Sequence, residues 1–289
     1  MTISRRDFAV FAAVAYGTAW IVAAGPWLDG HGLTSPWLPA GAAIMMLAPT
    51  IATLVVWRLR RIPLRDFVSG VGLDLGHRPR RTLLTVLVVW LTMPLFPLVR
   101  FLVDTGFGWL DLGARYSAET TCAMLVMGVF VSVLQMVPLA LGEEIGWRGW
   151  LLPRLTDRLG VPIALITTGV VWGLWHAPLT LLGYGFTDIG AWAALIYIPF
   201  CTIFGTLLGW LRLWTGSVWP STVAHAANNT IASVLATLFV ADIHQTHTLL
   251  LILPDLTLTA ILGTTLFPIT SIPRPTPTKS HPTEQPTPA

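Results

Sequence analysis

Glu143-Glu144-x-x-x-Arg148, Trp172-x-x-x-His176 and His225-x-x-x-Asn229 are three polar clusters in an otherwise apolar chain. Together they hold two carboxylates, a guanidinium, two imidazoles and an amide. Such a set can activate water and stabilise an oxyanion: a carboxylate tuned by burial takes a proton, and N–H donors hold the charge that develops on a carbonyl oxygen. On a helix, residues four apart share a face, so Glu144 can pair with Arg148 and His225 can stand beside Asn229. Glu143 is rotated about 100° from Glu144, so the two carboxylates need not do the same job.

Each cluster also has a structural reading. Glu144 and Arg148 could be an ion pair at a membrane boundary with Glu143 as a bystander, because the run sits at the end of an apolar stretch. His176 could be a neutral histidine bonded to backbone, and His225 with Asn229 could be a polar link between helices. Asn228 is expected to point elsewhere, into such a link. The tryptophans read as packing or interface residues. Taken jointly, the three polar faces should converge, because a polar group facing lipid is costly. Once converged, Glu143 serves as general base on water, and His176 orients that water or protonates a leaving amine. His225 and Asn229 then donate to the oxyanion, a contribution of a few kcal/mol per donor. Such a constellation is suited to amide hydrolysis within a membrane.

The elements that must position these residues are membrane helices. Of 289 residues 54% are hydrophobic and 11% charged, against about 25% charged in soluble domains; mean hydropathy is +0.70. A bilayer core of roughly 30 Å needs about 20 apolar residues in a helix. Eight segments qualify, near 7–27, 38–58, 82–103, 121–142, 163–183, 192–213, 217–240 and 248–267. None alternates with period two, which excludes a barrel and leaves helices as the only way to satisfy the backbone in lipid. The expectation is an all-α, polytopic membrane bundle of about eight transmembrane helices. The first apolar run is read as a retained span, since it exceeds a signal-peptide core and many spans follow.

Arginine distribution sets the orientation. Arg58, Arg60, Arg61, Arg65, Arg78, Arg80 and Arg81 follow the second span, Arg5 and Arg6 precede the first, and Arg148, Arg154 and Arg158 follow the fourth. The loops near 28–37 and 241–247 carry none. The positive-inside rule places both termini and the Glu143 region in the cytoplasm. It also accounts for the net charge of +3 without nucleic acid. Cys122 and Cys201 fall in spans and form no CxxC pair, so no disulfide framework or thiolate metal site is expected. Residues 1–267 read as one transmembrane domain with its chemistry in about 120–240. Residues 268–289, with seven prolines, read as a disordered cytoplasmic tail.

The ordered motifs EExxxR, FxxxH and HxxxN on consecutive membrane helices resemble the CPBP family, which groups CAAX prenyl proteases of the Rce1 type with bacteriocin-processing and self-immunity (Abi-like) enzymes. Glu143, Glu144 and Arg148 fall on the first motif, His176 on the second, and His225 with Asn229 on the third. Trp172 stands where the family usually has phenylalanine, a swap expected to preserve packing. The resemblance implies a helical intramembrane endopeptidase that cleaves a membrane-embedded or membrane-associated peptide, lipidated in eukaryotic members. The short chain fits the bacterial type, hence a bacterial plasma membrane.

Members have been described both as metalloproteases and as metal-independent glutamate proteases. No HExxH occurs, but Glu143, His176 and His225 could form a three-ligand zinc site. Asn229 suits an oxyanion better than zinc, which favours water activated directly by Glu143. Two other classes fit buried polar groups. A small-solute transporter should show paired broken helices in two halves, and no such halves occur. A non-catalytic scaffold or immunity protein would tolerate loss of Glu143.

Overall fold

The computed structural model describes residues 4–106, 110–112, 116–185 and 187–243. The eighth predicted span, 248–267, and the tail at 268–289 lie outside the described residues. The architecture is a polytopic helical membrane bundle. Its main helices are α1 (Arg5–Ala23), α2 (Leu38–Arg60), α3 (Leu64–Val71), α4 (Pro79–Thr92) and α5 (Leu95–Gly106). They are followed by α6 (Ala118–Leu159), α7 (Val161–Trp175), α8 (Ala193–Thr215) and α9 (Trp219–Phe239). Among the described residues five helical stretches are long and apolar enough to cross a membrane, with α7 a shorter apolar helix. Beside the bundle, Leu110–Leu112 pairs antiparallel with Val240–Ile243 in a two-stranded ribbon.

Small residues let the helices approach. Ala15, Ala19 and Ala23 on α1 and Ala48 and Ala52 on α2 are buried where these two helices pack, the small-residue contact that serves in lipid, where hydrophobicity does not drive association. α2 packs on α6, α6 on α9, and α9 on α8 and α4, while α7 lies against α8. Leu83, Leu84 and Leu87 on α4 project outward, as a lipid-facing surface requires.

The two ends of the bundle differ in chemistry. At one end Ser4 caps α1 in a capping box with Asp7, and Asp7 pairs with Arg60 from the end of α2. At the same end Arg158 lies 4.8 Å over Phe8 and Arg81 lies 3.2 Å over Trp214. The opposite end presents exposed Trp27, Trp37 and Trp192, the indole belt typical of a membrane–water interface.

α6 departs from the expected span. The stretch predicted to end near residue 142 continues to Leu159 as one helix of 42 residues. Two π-helical segments interrupt it, Gly128–Ser132 and Ile145–Leu151. The polar Glu143 cluster resembled a span boundary in sequence, but it is enclosed by protein, so the helix does not need to stop there. The second π segment rests against α2. A Cβ on Gly146 would stand 2.2 Å from Pro49 Cβ, so only glycine permits this approach. Thr50 on α2 donates its hydroxyl to the Gly142 carbonyl at 2.6 Å, satisfying backbone beside the α-to-π change.

The predicted span 163–183 is likewise not one helix. α7 ends at Trp175, His176 is its C-cap, and a separate turn occupies Ala177–Thr180 with a proline in its first turn. Pro178 offers no N–H to carry the helix onward. α1 and the short helical turn Gly25–Leu28 after it hold this break in place. Trp20 Nε1 donates to the Trp175 carbonyl at 3.2 Å and Trp175 Nε1 to the Ala15 carbonyl at 3.1 Å. Trp27 Nε1 donates to the Pro178 carbonyl at 2.7 Å.

Candidate active site

The three clusters meet. Glu143 (2% exposed), Glu144 (0%), Arg148 (0%), His176 (8%) and His225 (2%) are all buried, held on α6, at the end of α7 and on α9. Isolated charges at such depth are costly, and the cost is met by pairing and hydrogen bonding. Arg148 Nη1 donates to Glu144 Oε1 at 2.7 Å, the i,i+4 pair expected from spacing. The same oxygen lies 3.0 Å from His225 Nδ1. A carboxylate only accepts, so His225 donates through Nδ1 and its other ring nitrogen, Nε2, remains for other partners.

Glu143 is oriented separately. Its Oε2 accepts from Trp172 Nε1 at 2.6 Å. His176 Nδ1 donates to the Trp172 carbonyl at 2.9 Å, one helical turn earlier. Because a carbonyl only accepts, this bond fixes the proton on Nδ1 and leaves Nε2 as the ring acceptor. The Trp172 ring stands edge-on to His225 at 5.2 Å and to His176 at 5.6 Å between centroids, and the Arg148 guanidinium lies 4.3 Å from its centre.

Glu143, His176, His225, Asn228 and Asn229 line one cavity of about 60 Å³ together with aromatic and methionine side chains. Room of this size takes a small number of waters, each of which needs polar partners, and the acid, imidazole and amide groups are those partners. The wall is completed by Trp172, Phe204, Tyr184, Tyr197 and Met45 among others. Glu144 and Arg148 are not among the lining residues; they stand behind His225.

The expected convergence of Glu143, His176, His225 and Asn229 is present in the geometry, and one assignment needs correcting. Asn228 does not point away: it lines the same cavity, and its Nδ2 lies 3.4 Å from Asn229 Oδ1. A turn of about 100° between neighbours still lets both reach a cavity that α9 faces broadly. Trp172, read from sequence as packing, is a hydrogen-bond donor to Glu143. Tyr184 and Tyr197 were not singled out at all. A lone aromatic in an apolar stretch carries no signal of a partner in another helix; Trp172 at i−4 of His176 was the only available hint.

Among the described residues no group of three His, Cys, Asp or Glu side chains could hold a metal ion. These residues do not fit a metal centre, so no chemical step is assigned to one.

Residues 119–231 match the family described as type II CAAX prenyl endopeptidase Rce1-like. The chain is also 26% identical over 199 residues to CAAX prenyl protease 2 of the archaeon Methanococcus maripaludis, an alignment covering 65% of this chain and 70% of that protein.

Proposed function

We propose that this chain, similar to the type II CAAX prenyl endopeptidase Rce1-like family over residues 119–231 and to CAAX prenyl protease 2, is an intramembrane endopeptidase acting near the C-terminus of a prenylated, membrane-associated peptide, with Glu143 as the general base. The observation that carries this reading is the meeting of Glu143, His176, His225 and Asn229 on one buried cavity. In the proposed reaction Glu143 takes a proton from a water that attacks the scissile carbonyl carbon. His225 and Asn229 donate to the oxygen on which negative charge develops. His176, with Nδ1 committed to the Trp172 carbonyl, holds the attacking water through Nε2. Glu143 then passes that proton to the leaving nitrogen as the C–N bond breaks, giving a carboxylic acid and an amine, which exchange a proton to leave as carboxylate and ammonium.

Glu144 supports this chemistry from behind. Its carboxylate accepts from His225 Nδ1 and from Arg148, which holds the imidazole in one orientation with Nε2 available to the cavity. The arrangement follows the logic of a buried carboxylate that orients a histidine. The arginine-rich end of the bundle, where α1 begins, supports placing the N-terminus in the cytosol, where a positive surface belongs. The similarity to CAAX prenyl endopeptidases over residues 119–231 supports an isoprenoid-bearing substrate.

Substrate class is tested with two peptides of one sequence, one farnesylated and one not, offered to the purified protein in liposomes. The reading predicts that the prenylated peptide is cleaved with a kcat/KM at least about tenfold higher, the worth of about 1.4 kcal/mol of added binding. Equal cleavage of both would remove the prenyl group from the proposal while leaving a peptidase.

A further inference from the structure

Trp172 stands where the family pattern carries phenylalanine, and its contacts use what a phenylalanine lacks. The indole Nε1 donates to Glu143 Oε2 at 2.6 Å. The main-chain carbonyl accepts from His176 Nδ1 at 2.9 Å. The ring lies 4.3 Å from the Arg148 guanidinium and 5.2 Å from the His225 ring. One residue therefore touches all three motifs. A phenylalanine there would keep the carbonyl and most of the ring contact, and would lose the N–H.

We propose that Trp172 is a positioning residue whose indole N–H fixes the Glu143 carboxylate in one rotamer, holding Oε2 and leaving Oε1 to take the proton from water. An indole N–H donates and never accepts, so the bond has one polarity and favours the ionised carboxylate over the neutral acid. A terminal carboxylate torsion is broad and two-fold, and in a buried site the donor at Oε2 is what selects one orientation. The inference rests on Glu143 being the general base.

Glu143 shares its surroundings with several titratable groups: Glu144 and Arg148 on its own helix, His176 after α7, His225 on α9, Tyr184 on the following turn, and Tyr197 and Cys201 on α8. The residues that α2 contributes to the wall, Ala42, Met45 and Met46, do not titrate. Trp172→Phe changes none of these groups and removes one donor.

The experiment compares kcat, KM and the pH profile of kcat/KM for wild type, Trp172→Phe and Glu143→Gln on one peptide. A charge-assisted hydrogen bond contributes about 1.5–3 kcal/mol, or about one to two pH units. Trp172→Phe is therefore expected to move the acid limb upward by at least about one unit and to lower kcat about tenfold, with KM unchanged. An unmoved limb and wild-type kcat in Trp172→Phe, with Glu143→Gln inactive, would overturn the positioning role and leave the base intact. Full activity of Glu143→Gln would overturn the base itself, and this inference with it. Should Trp172→Phe not fold, the indole N–H spectrum of wild type beside Glu143→Gln decides. One indole resonance is expected to move when its carboxylate becomes a neutral amide; an unchanged indole spectrum would contradict the bond.

Discussion

Glu143 and Glu144 are neighbours with different surroundings, and their roles divide accordingly. Glu143 opens on the cavity with Trp172 at one oxygen; Glu144 lies behind it between Arg148 and His225. Removing one member of a buried ion pair leaves its partner uncompensated, at a cost of about 3–5 kcal/mol. Arg148→Met is accordingly expected to lower stability by that order, read as a fall in Tm in detergent, whereas a Tm within a degree of wild type would show the pair to be energetically idle. The i,i+4 relations were legible in sequence because they are statements about one helix. The Trp172–Glu143 bond was not, since it joins residues 29 apart and depends on how α7 docks on α6. Asn228 was misread for a related reason: helical phase gives a direction but not the width of the cavity being faced.

At the scale of elements, the site depends on two local breaks. The π segment Ile145–Leu151 follows directly on Glu144, and π turns inserted in α-helices are common at functional sites because they re-aim the side chains around them. Gly146 allows this segment to lie on Pro49. Gly146→Ala should therefore destabilise by about 1–3 kcal/mol, the cost of overpacking. Gly17→Ala on α1, where a Cβ meets nothing within 4 Å, should be neutral or mildly stabilising. Thermal unfolding of the two variants side by side checks the contrast, and equal Tm values would remove the steric argument. Apolar length marked where helices run, but not where α6 ends or where α7 breaks. A polar cluster looks like a boundary in sequence, and only the pairing of Glu144 with Arg148 and His225 reveals that it is interior. The break after His176 follows from Pro178, which has no N–H to carry the helix onward.

For the whole molecule, the reading is that lipid-facing leucines, small-residue helix contacts and one arginine-rich end hold three helices so that their polar residues share one enclosed space. Convergence was the part of the site that sequence carried best, because the penalty for facing lipid applies to every cluster alike. The metal question was open in sequence, where three candidate ligands sat on three helices. In the structure the three line one cavity, and among the described residues no group of three such side chains could hold a metal ion. The central claim is that this shared space is a hydrolytic site in which Glu143 activates water. Its most direct test is mass-spectrometric detection of peptide cleavage by the purified protein in liposomes, wild type beside Glu143→Gln, with equal Tm as the control for folding. The account predicts a single cleavage in wild type and a rate lower by about 10²–10⁴-fold in Glu143→Gln, the usual contribution of a positioned base. Cleavage at the wild-type rate by folded Glu143→Gln would contradict it.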